Sequence, residues 1–472
     1  RNNSNVETAG WVTMGSTSTL CEVPAAPTIS DVLTSSITLA INTGTNPYWS
    51  KYAVKVSSGG IDRYVQANGT LNTGEVYQTT DSWKTSTSAQ TGKLWLTGLV
   101  SNTTHQFSIS AKNSNDVNTV YGGVNSTSTL CVVPVVTTAY NTYTGSITAN
   151  WTDSGGNPGG TQYYLERAKD NGFTQDLANS GWTASLSTTS YSLLANTTYH
   201  YHIKSRNNSN VETAGWVTMG STSTLCEIPA VPSLLTVSTW TIQVDINPGS
   251  NPAYTKYAVK FVYSGFTKYA QSNLTIGNTE VYQTTATWNL PVIKDLSENM
   301  QYAVSVSALN ENSVPTIYGD SISSYTLLNP PGNVDLVIST APGVGKLLLT
   351  ITQPPNYNVG LSGCEFDNIT GSGLGGTDTG KLTNVYIFTD DGLQNNTVYG
   401  YKARYFNGDS KPTAYNTGEI TKYTICPNPT GFVITPSTGS LYLQVDSFPN
   451  DKLDSSAYYF DFISGGTGAD DS

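Results

Sequence analysis

An all-β chain of tandem, immunoglobulin-like β-sandwiches in an elongated array is what the sequence predicts, and three observations carry the prediction. The first is composition. About a quarter of the 472 residues are Ser or Thr, Tyr (30) and Gly (43) are abundant, and only 12% are charged. Thr and Tyr suit a pleated strand, whereas Gly, Asn and Ser suit turns. The second is periodicity: apolar residues alternate with polar ones, and no 3.6-residue stripe runs beyond a turn or two. The third is internal repetition with a spacing of about 100 residues, the size of one sandwich.

The repeat fixes the boundaries. Residues 1–22, RNNSNVETAGWVTMGSTSTLCE, recur unchanged at 206–227. The same offset carries Lys51-Tyr-Ala-Val-Lys55 onto Lys256-Tyr-Ala-Val-Lys260, and Glu75-Val-Tyr-Gln onto Glu280-Val-Tyr-Gln. A strand ending in Thr-Leu-Cys-x-x-Pro closes at Cys21, Cys131 and Cys226, with relatives ending at Leu328 and Cys426. Four whole domains follow, at 22–131, 132–226, 227–328 and 329–426, in two alternating types. Residues 1–21 are expected to be the last strand of a truncated domain, and 427–472 the opening strands of a further one. On that reading the chain is cut from a longer protein.

Within each interval an early strand alternates, as in Ile37, Leu39, Ile41; Ile147, Ala149, Trp151; and Ile242, Val244, Ile246. Leu349 and Ile351 continue the series, as do Leu441, Leu443 and Val445. Period two with one apolar face marks a half-buried antiparallel strand. A late strand is introduced by Leu-x-x-Asn-x-x-Tyr, at Leu193, Asn196, Tyr199; Leu296, Asn299, Tyr302; and Leu393, Asn396, Tyr399. The first copy reads Leu99, Asn102, His105. This pattern resembles the fibronectin type III family, whose sixth strand opens with Leu-x-Pro-x-Thr-x-Tyr, and the resemblance covers essentially the whole chain. It is closest to modules found in tandem in bacterial secreted proteins. It implies that Tyr199, Tyr302 and Tyr399 occupy tyrosine corners, with the hydroxyl bonded back to the backbone. It also places Trp151 at the family's second-strand tryptophan. Ile41, Ile246 and Ile351 depart from that tryptophan, and His105 departs from the tyrosine.

Chemistry is sparse. The formal charge of −11 disfavours nucleic acid or an anionic membrane as partner, since both ask for a basic face. No 18-residue apolar run gives a membrane span in this fragment. His200 and His202 share one strand face and are candidate metal ligands, but no third ligand accompanies them. No Gly-x-Ser-x-Gly elbow, recurrent carboxylate pair or Arg-Gly-Asp tripeptide is present, so the chain reads as non-enzymatic and without cofactor or metal. Ten Asn-x-Ser/Thr sequons include Asn68, Asn102, Asn125, Asn150, Asn196, Asn273 and Asn368; these are candidate glycosylation sites, although so Asn- and Thr-rich a chain gives about that many by chance. Trp49, Trp83, Trp95, Trp182 and Trp288 lie outside the core pattern. Exposed, they would stack on sugars and make surface glycans a partner class; the repeat-equivalent pair Trp83 and Trp288 fits core packing better. The junction cysteines lie a domain length apart, beyond the ~7 Å reach of a disulfide. Cys364 and Cys426 share a domain but map near opposite ends of it. Free, buried thiols are expected, with interchain bridges the alternative.

Together these features point to a structural, non-catalytic repeat protein of an extracellular or cell-surface filament, sheath or adhesive stalk. Its expected partner is itself, as a homopolymer or continuous repeat chain. The alternatives are a spacer or binding module of a secreted polysaccharide-degrading enzyme, and a phage tail-fibre component.

Overall fold

The computed structural model describes residues 1, 3–83, 93–153, 156–370 and 378–447. It divides into two compact units, Arg1–Leu225 and Cys226–Ser472, and each unit contains two complete sandwiches.

In the first unit, one sandwich faces a three-stranded sheet (Thr28–Ser30, Ser36–Ala40, Lys93–Thr97) against a five-stranded one. The larger sheet runs in the order Leu71–Asn72, Ile61–Val65, Lys51–Ser58, Thr104–Lys112, Asn125–Ser128. The next sandwich pairs Val135–Thr142, Ile147–Thr152 and Ser187–Ser190 in one sheet. Its other sheet runs Ala178–Thr183, Gln162–Ala168, Thr198–Arg206, Val217–Ser223. Alternation decides which side of each strand goes inward. Ile147, Ala149 and Trp151 are buried, as are Tyr199, Tyr201 and Ile203 opposite them. Each of the larger side chains contributes about 1.5–3 kcal/mol by leaving water.

The second unit repeats the plan. Ser233–Val237, Ile242–Asp245 and Val292–Ile293 face a sheet centred on Lys256–Tyr263 and Gln301–Leu309. Leu336–Thr340, Leu347–Ile351 and Ile387–Asp390 face Leu382–Thr383, Gly363–Asn368, Val398–Phe406 and Ile420–Tyr423. Every pairing is antiparallel. A three-stranded sheet packed on one of four or more, in this order, is the fibronectin type III arrangement. The fold class predicted from sequence is therefore that of the molecule.

The alternation of types is visible in detail. Tyr52 bridges Gln78 in the first sandwich, and Tyr257 pairs with Gln283 in the third. Trp83 and Trp288 donate their indole N–H to the carbonyls of Tyr52 and Tyr257, at 3.1 and 2.8 Å, deep in their cores. Neither is available for a ligand.

One expectation about the ends changes. Residues 1–21 form no strand; the first strand of the chain is Thr28–Ser30. A strand requires a neighbouring edge, and among the described residues none lies beside this segment. At the other end, Thr430–Ser437 and Ser440–Ser447 form a two-stranded hairpin. Residues 448–472, with Tyr458, Phe460 and Phe462, lie outside the described residues.

Candidate functional site: corners and asparagine joints

The corner is built by the Leu-x-x-Asn-x-x-Tyr turn. Tyr199, Tyr302 and Tyr399 are buried, and each hydroxyl accepts from a backbone amide five residues back. The donors are Leu194 (3.1 Å), Ser297 (2.9 Å) and Gln394 (3.0 Å). A buried amide left without a partner costs about 1–3 kcal/mol, so the phenol fixes the turn. Trp151 is buried and meets Tyr163 edge-on at 5.8 Å. His105, at the fourth corner, is buried against the Val100 main chain, and neither ring nitrogen reaches full hydrogen-bond geometry with it. Desolvation there pushes its pKa below the usual imidazole value.

The asparagine of the same turn has a separate task. Asn102 and Asn299 adopt a left-handed backbone (φ 43° and 51°), a conformation that asparagine tolerates better than most residues. In the first unit the side chain of Asn102 crosses into the next sandwich. Its Oδ1 accepts from the Asn208 amide at 2.7 Å, and its Nδ2 donates to Thr161 Oγ1 at 2.6 Å. The next sandwich answers with Asn207, whose Nδ2 donates to the carbonyls of Ser128 and Thr129. In the second unit the joint recurs group by group. Asn299 Oδ1 accepts from the Gly408 amide at 3.0 Å, and Nδ2 donates to Ser362 Oγ at 3.0 Å. Asn407 Nδ2 reaches back to the carbonyls of Tyr325 and Thr326. A second asparagine seats the chain as it enters a sandwich. Asn46, Asn157 and Asn251, each followed by Pro, both accept from and donate to the main chain of Glu22, Val132 and Glu227.

These contacts correct part of the glycosylation reading. Asn102, Asn196 and Asn368 are buried, so a glycan on any of them is incompatible with the folded domain. Asn368 is held by Tyr401 and Asp390. Asn125 and Asn150 give Nδ2 to the carbonyls of Pro27 and Ala139. Asn68 and Asn273 alone among the seven sit exposed, on tight turns where Oδ1 accepts from Thr70 and Thr275.

The outer face of the second sandwich collects aromatics and cations. Tyr164 lies opposite both Trp182 and Lys204 in the sheet register. The Lys204 ammonium stands 4.5 Å from the Trp216 ring centre and 2.6 Å from Glu212. Arg206 covers Trp182 at 4.3 Å. His202 is stacked between Phe173 (3.5 Å) and Trp216 (3.8 Å) and meets Glu166 at 2.8 Å. The cations cap rings that would otherwise offer open faces to a sugar, each contact contributing about 0.5–1 kcal/mol. Trp49 is 54% exposed beside Tyr48. Trp95 lies half-buried on its strand, its indole nitrogen without a partner.

Among the described residues no group of three His, Cys, Asp or Glu is placed to hold a metal, and His200 and His202 gain no third ligand. All five cysteines are free. Burial raises the thiol pKa of Cys131, Cys226 and Cys364, the last two to about 12, which keeps them unreactive.

No family model and no curated protein matches the chain. Among solved structures it is similar to the crystal structure of the chicken CNTN1 FN1–FN3 domains, at 13% identity and a TM-score of 0.22, over 65% of this chain and 98% of that one. The fold assignment rests on the strand pairing given above.

Proposed function

We propose that the chain is a structural, non-catalytic run of sandwich modules from an extracellular filament, sheath or adhesive surface stalk. The observation that supports this most is the asparagine joint. Modules in both units are connected by the same hydrogen-bonded device with no intervening linker, which suits a part that transmits load rather than one that turns over a substrate. The sequence spends the buried corner asparagines Asn102 and Asn299 on it. The aromatic face of the second sandwich is already capped by its own cations, which does not favour a substrate site there. No helix among the described residues is long and apolar enough to cross a membrane.

The test is mechanical. In single-molecule extension of the full chain, the double variant Asn102→Ala, Asn299→Ala should bend more freely at two points while each sandwich still unfolds as a unit. Unchanged bending would remove the support from this reading. Turnover of a glycoside, ester or peptide substrate, abolished by one Asp, Glu, Ser or His substitution, would replace it with an enzymatic one.

A further inference from the structure

Within each unit the joint between its two sandwiches is complete, and at a third place only half of it is made among the described residues. At the leading pole of the first sandwich Asn113 Nδ2 donates to the Thr19 carbonyl at 3.0 Å. Asn207 and Asn407 do the same to Thr129 and Thr326. Asn115 adds bonds to Ser18 and Thr17, and Asn46 seats Glu22. Residues 17–22 are therefore gripped as the end of a preceding sandwich is gripped at the finished joints.

The other half is open. Two groups receive the corner asparagine at each finished joint: a backbone amide after the late strand (Asn208, Gly408) and a hydroxyl before the central strand (Thr161, Ser362). Their counterparts by position are the Ser114 amide and Ser50 Oγ. Among the described residues nothing accepts from the Ser114 amide. Ser50 is 2% exposed, its Oγ accepts only the long 3.8 Å contact from Cys21 Sγ among the described residues, and the residue lines a cavity of about 160 Å³ together with Thr19, Cys21, Trp49, Asn113 and Ser114. The cavity lies where the finished joints hold an Asn side chain.

We infer that this pole is a docking socket for the asparagine corner of another sandwich, one that uses residues 11–20 as its own last strand. The occupant follows from continuity with the finished joints, where corner and strand end belong to one sandwich: the Asn102 amide donates to the Leu130 carbonyl, and that of Asn299 to Leu327. Its kind follows from the repeat. Residues 1–22 are identical to 206–227, whose Val217–Ser223 is the last strand of the sandwich of residues 132–226. The socket thus fits a module of that kind, with Trp49 as an aromatic lip beside it. The inference rests on joint geometry and is independent of whether the assembled protein is a filament.

The experiment adds the missing module to the full chain. A copy of residues 132–205 placed directly before Arg1 regenerates, without a seam, the sequence that precedes residues 206–227. Hydrogen exchange followed amide by amide should show residues 13–18 protected, because the new sandwich has folded. The Ser114 amide should exchange about tenfold more slowly than in the unextended chain. Replacing the inserted counterpart of Asn196 with Ala, or Ser50 with Val, should return Ser114 to its unextended rate while residues 13–18 stay protected. That pattern separates docking from folding. If residues 13–18 are protected and Ser114 exchanges unchanged, the socket is overturned. It is equally overturned if Ser114 in the unextended chain becomes protected with rising concentration, since the occupant would then be a second copy docking as a whole.

Discussion

Residues 1–22 and 206–227 have one sequence and two structures. In the second copy Val217–Ser223 pairs with Thr198–Arg206, Met219 is 4% exposed and Trp216 is 38% exposed. In the first copy the equivalent Met14 is 97% exposed, and Trp11 is fully exposed. Yet some geometry survives the change. Asn5 and Asn210 have φ of 60° and 62°, and Gly15 and Gly220 have φ of 80° and 90°. Left-handed positions are set by the residue that occupies them, because Gly and Asn bear little steric penalty there. The strand Val217–Ser223, which runs through Gly220, is set by what lies alongside. Turns are written locally in this chain, and strands are written in pairs.

The largest way to test that contrast is at the methionine. Met219→Asp places a carboxylate in the apolar core of the second sandwich and should destabilise it by about 3–5 kcal/mol. Its urea transition should move far to lower denaturant or disappear. Met14→Asp, in the same sequence context, should leave every transition within about 0.5 kcal/mol. Comparable effects from both would mean that the first copy is packed in solution after all.

A smaller effect is expected at the finished joint. Asn102→Ala removes two side-chain hydrogen bonds and leaves at a left-handed position a residue that tolerates it less well than asparagine, a loss of about 2–3 kcal/mol. It should appear as uncoupling of the two sandwiches of the first unit, with two calorimetric transitions where one cooperative transition is expected. Asn3→Ala, whose twin Asn208 donates to the Asn102 carbonyl, should be silent.

The same distinction explains what could be read in advance. Alternation in Ile147, Ala149, Trp151 and in Tyr199, Tyr201, Ile203 is a local record of a buried face, so strands, cores and corners were legible. Trp83 and Trp288 were legible as core because they are repeat-equivalent. The joint was not. Asn102 sits in Asn-Thr-Thr, a pattern that also reads as a glycan acceptor, and nothing local says that Asn208 and Thr161 meet it across a domain boundary. The Asn-Pro pairs at Asn46, Asn157 and Asn251 recur at one place in three of the four sandwiches, a signal that could have pointed to the junction. Residues 1–21 have the strand pattern of their twin, and pattern alone does not make a strand.

Trp216 offers a milder contrast with its twin. Trp216→Ala gives up the Lys204 contact and the stack on His202, worth about 1–2 kcal/mol together. The second sandwich should lose that much in denaturant. Trp11→Ala should cost nothing, and the fluorescence it removes should be that of a fully hydrated indole.

The smallest effect comes from the converse arrangement, in which the surroundings are shared and the residue differs. The four corners have one backbone plan, but His105 stands where Tyr199, Tyr302 and Tyr399 stand in the others. Burial lowers the His105 pKa in the folded state below the ordinary 6.5. The unfolded chain then takes up its proton first as the pH falls. The stability tied to neutral His105 is therefore full above about pH 6.5, and is lost as the pH drops through that value towards the lowered folded pKa. The first sandwich should show a lower denaturation midpoint at pH 5 than at pH 7.5. His105→Tyr removes the titrating group and supplies a phenol that can accept from the Val100 amide, as Tyr199 accepts from Leu194. That variant should gain about 1 kcal/mol at neutral pH and lose the His105 share of the acid dependence. If the acid loss persists undiminished in His105→Tyr, another group titrates on unfolding. If it vanishes without the gain at neutral pH, the corner of this domain holds its turn by packing alone, and the phenol bond of the other three is a refinement rather than a requirement.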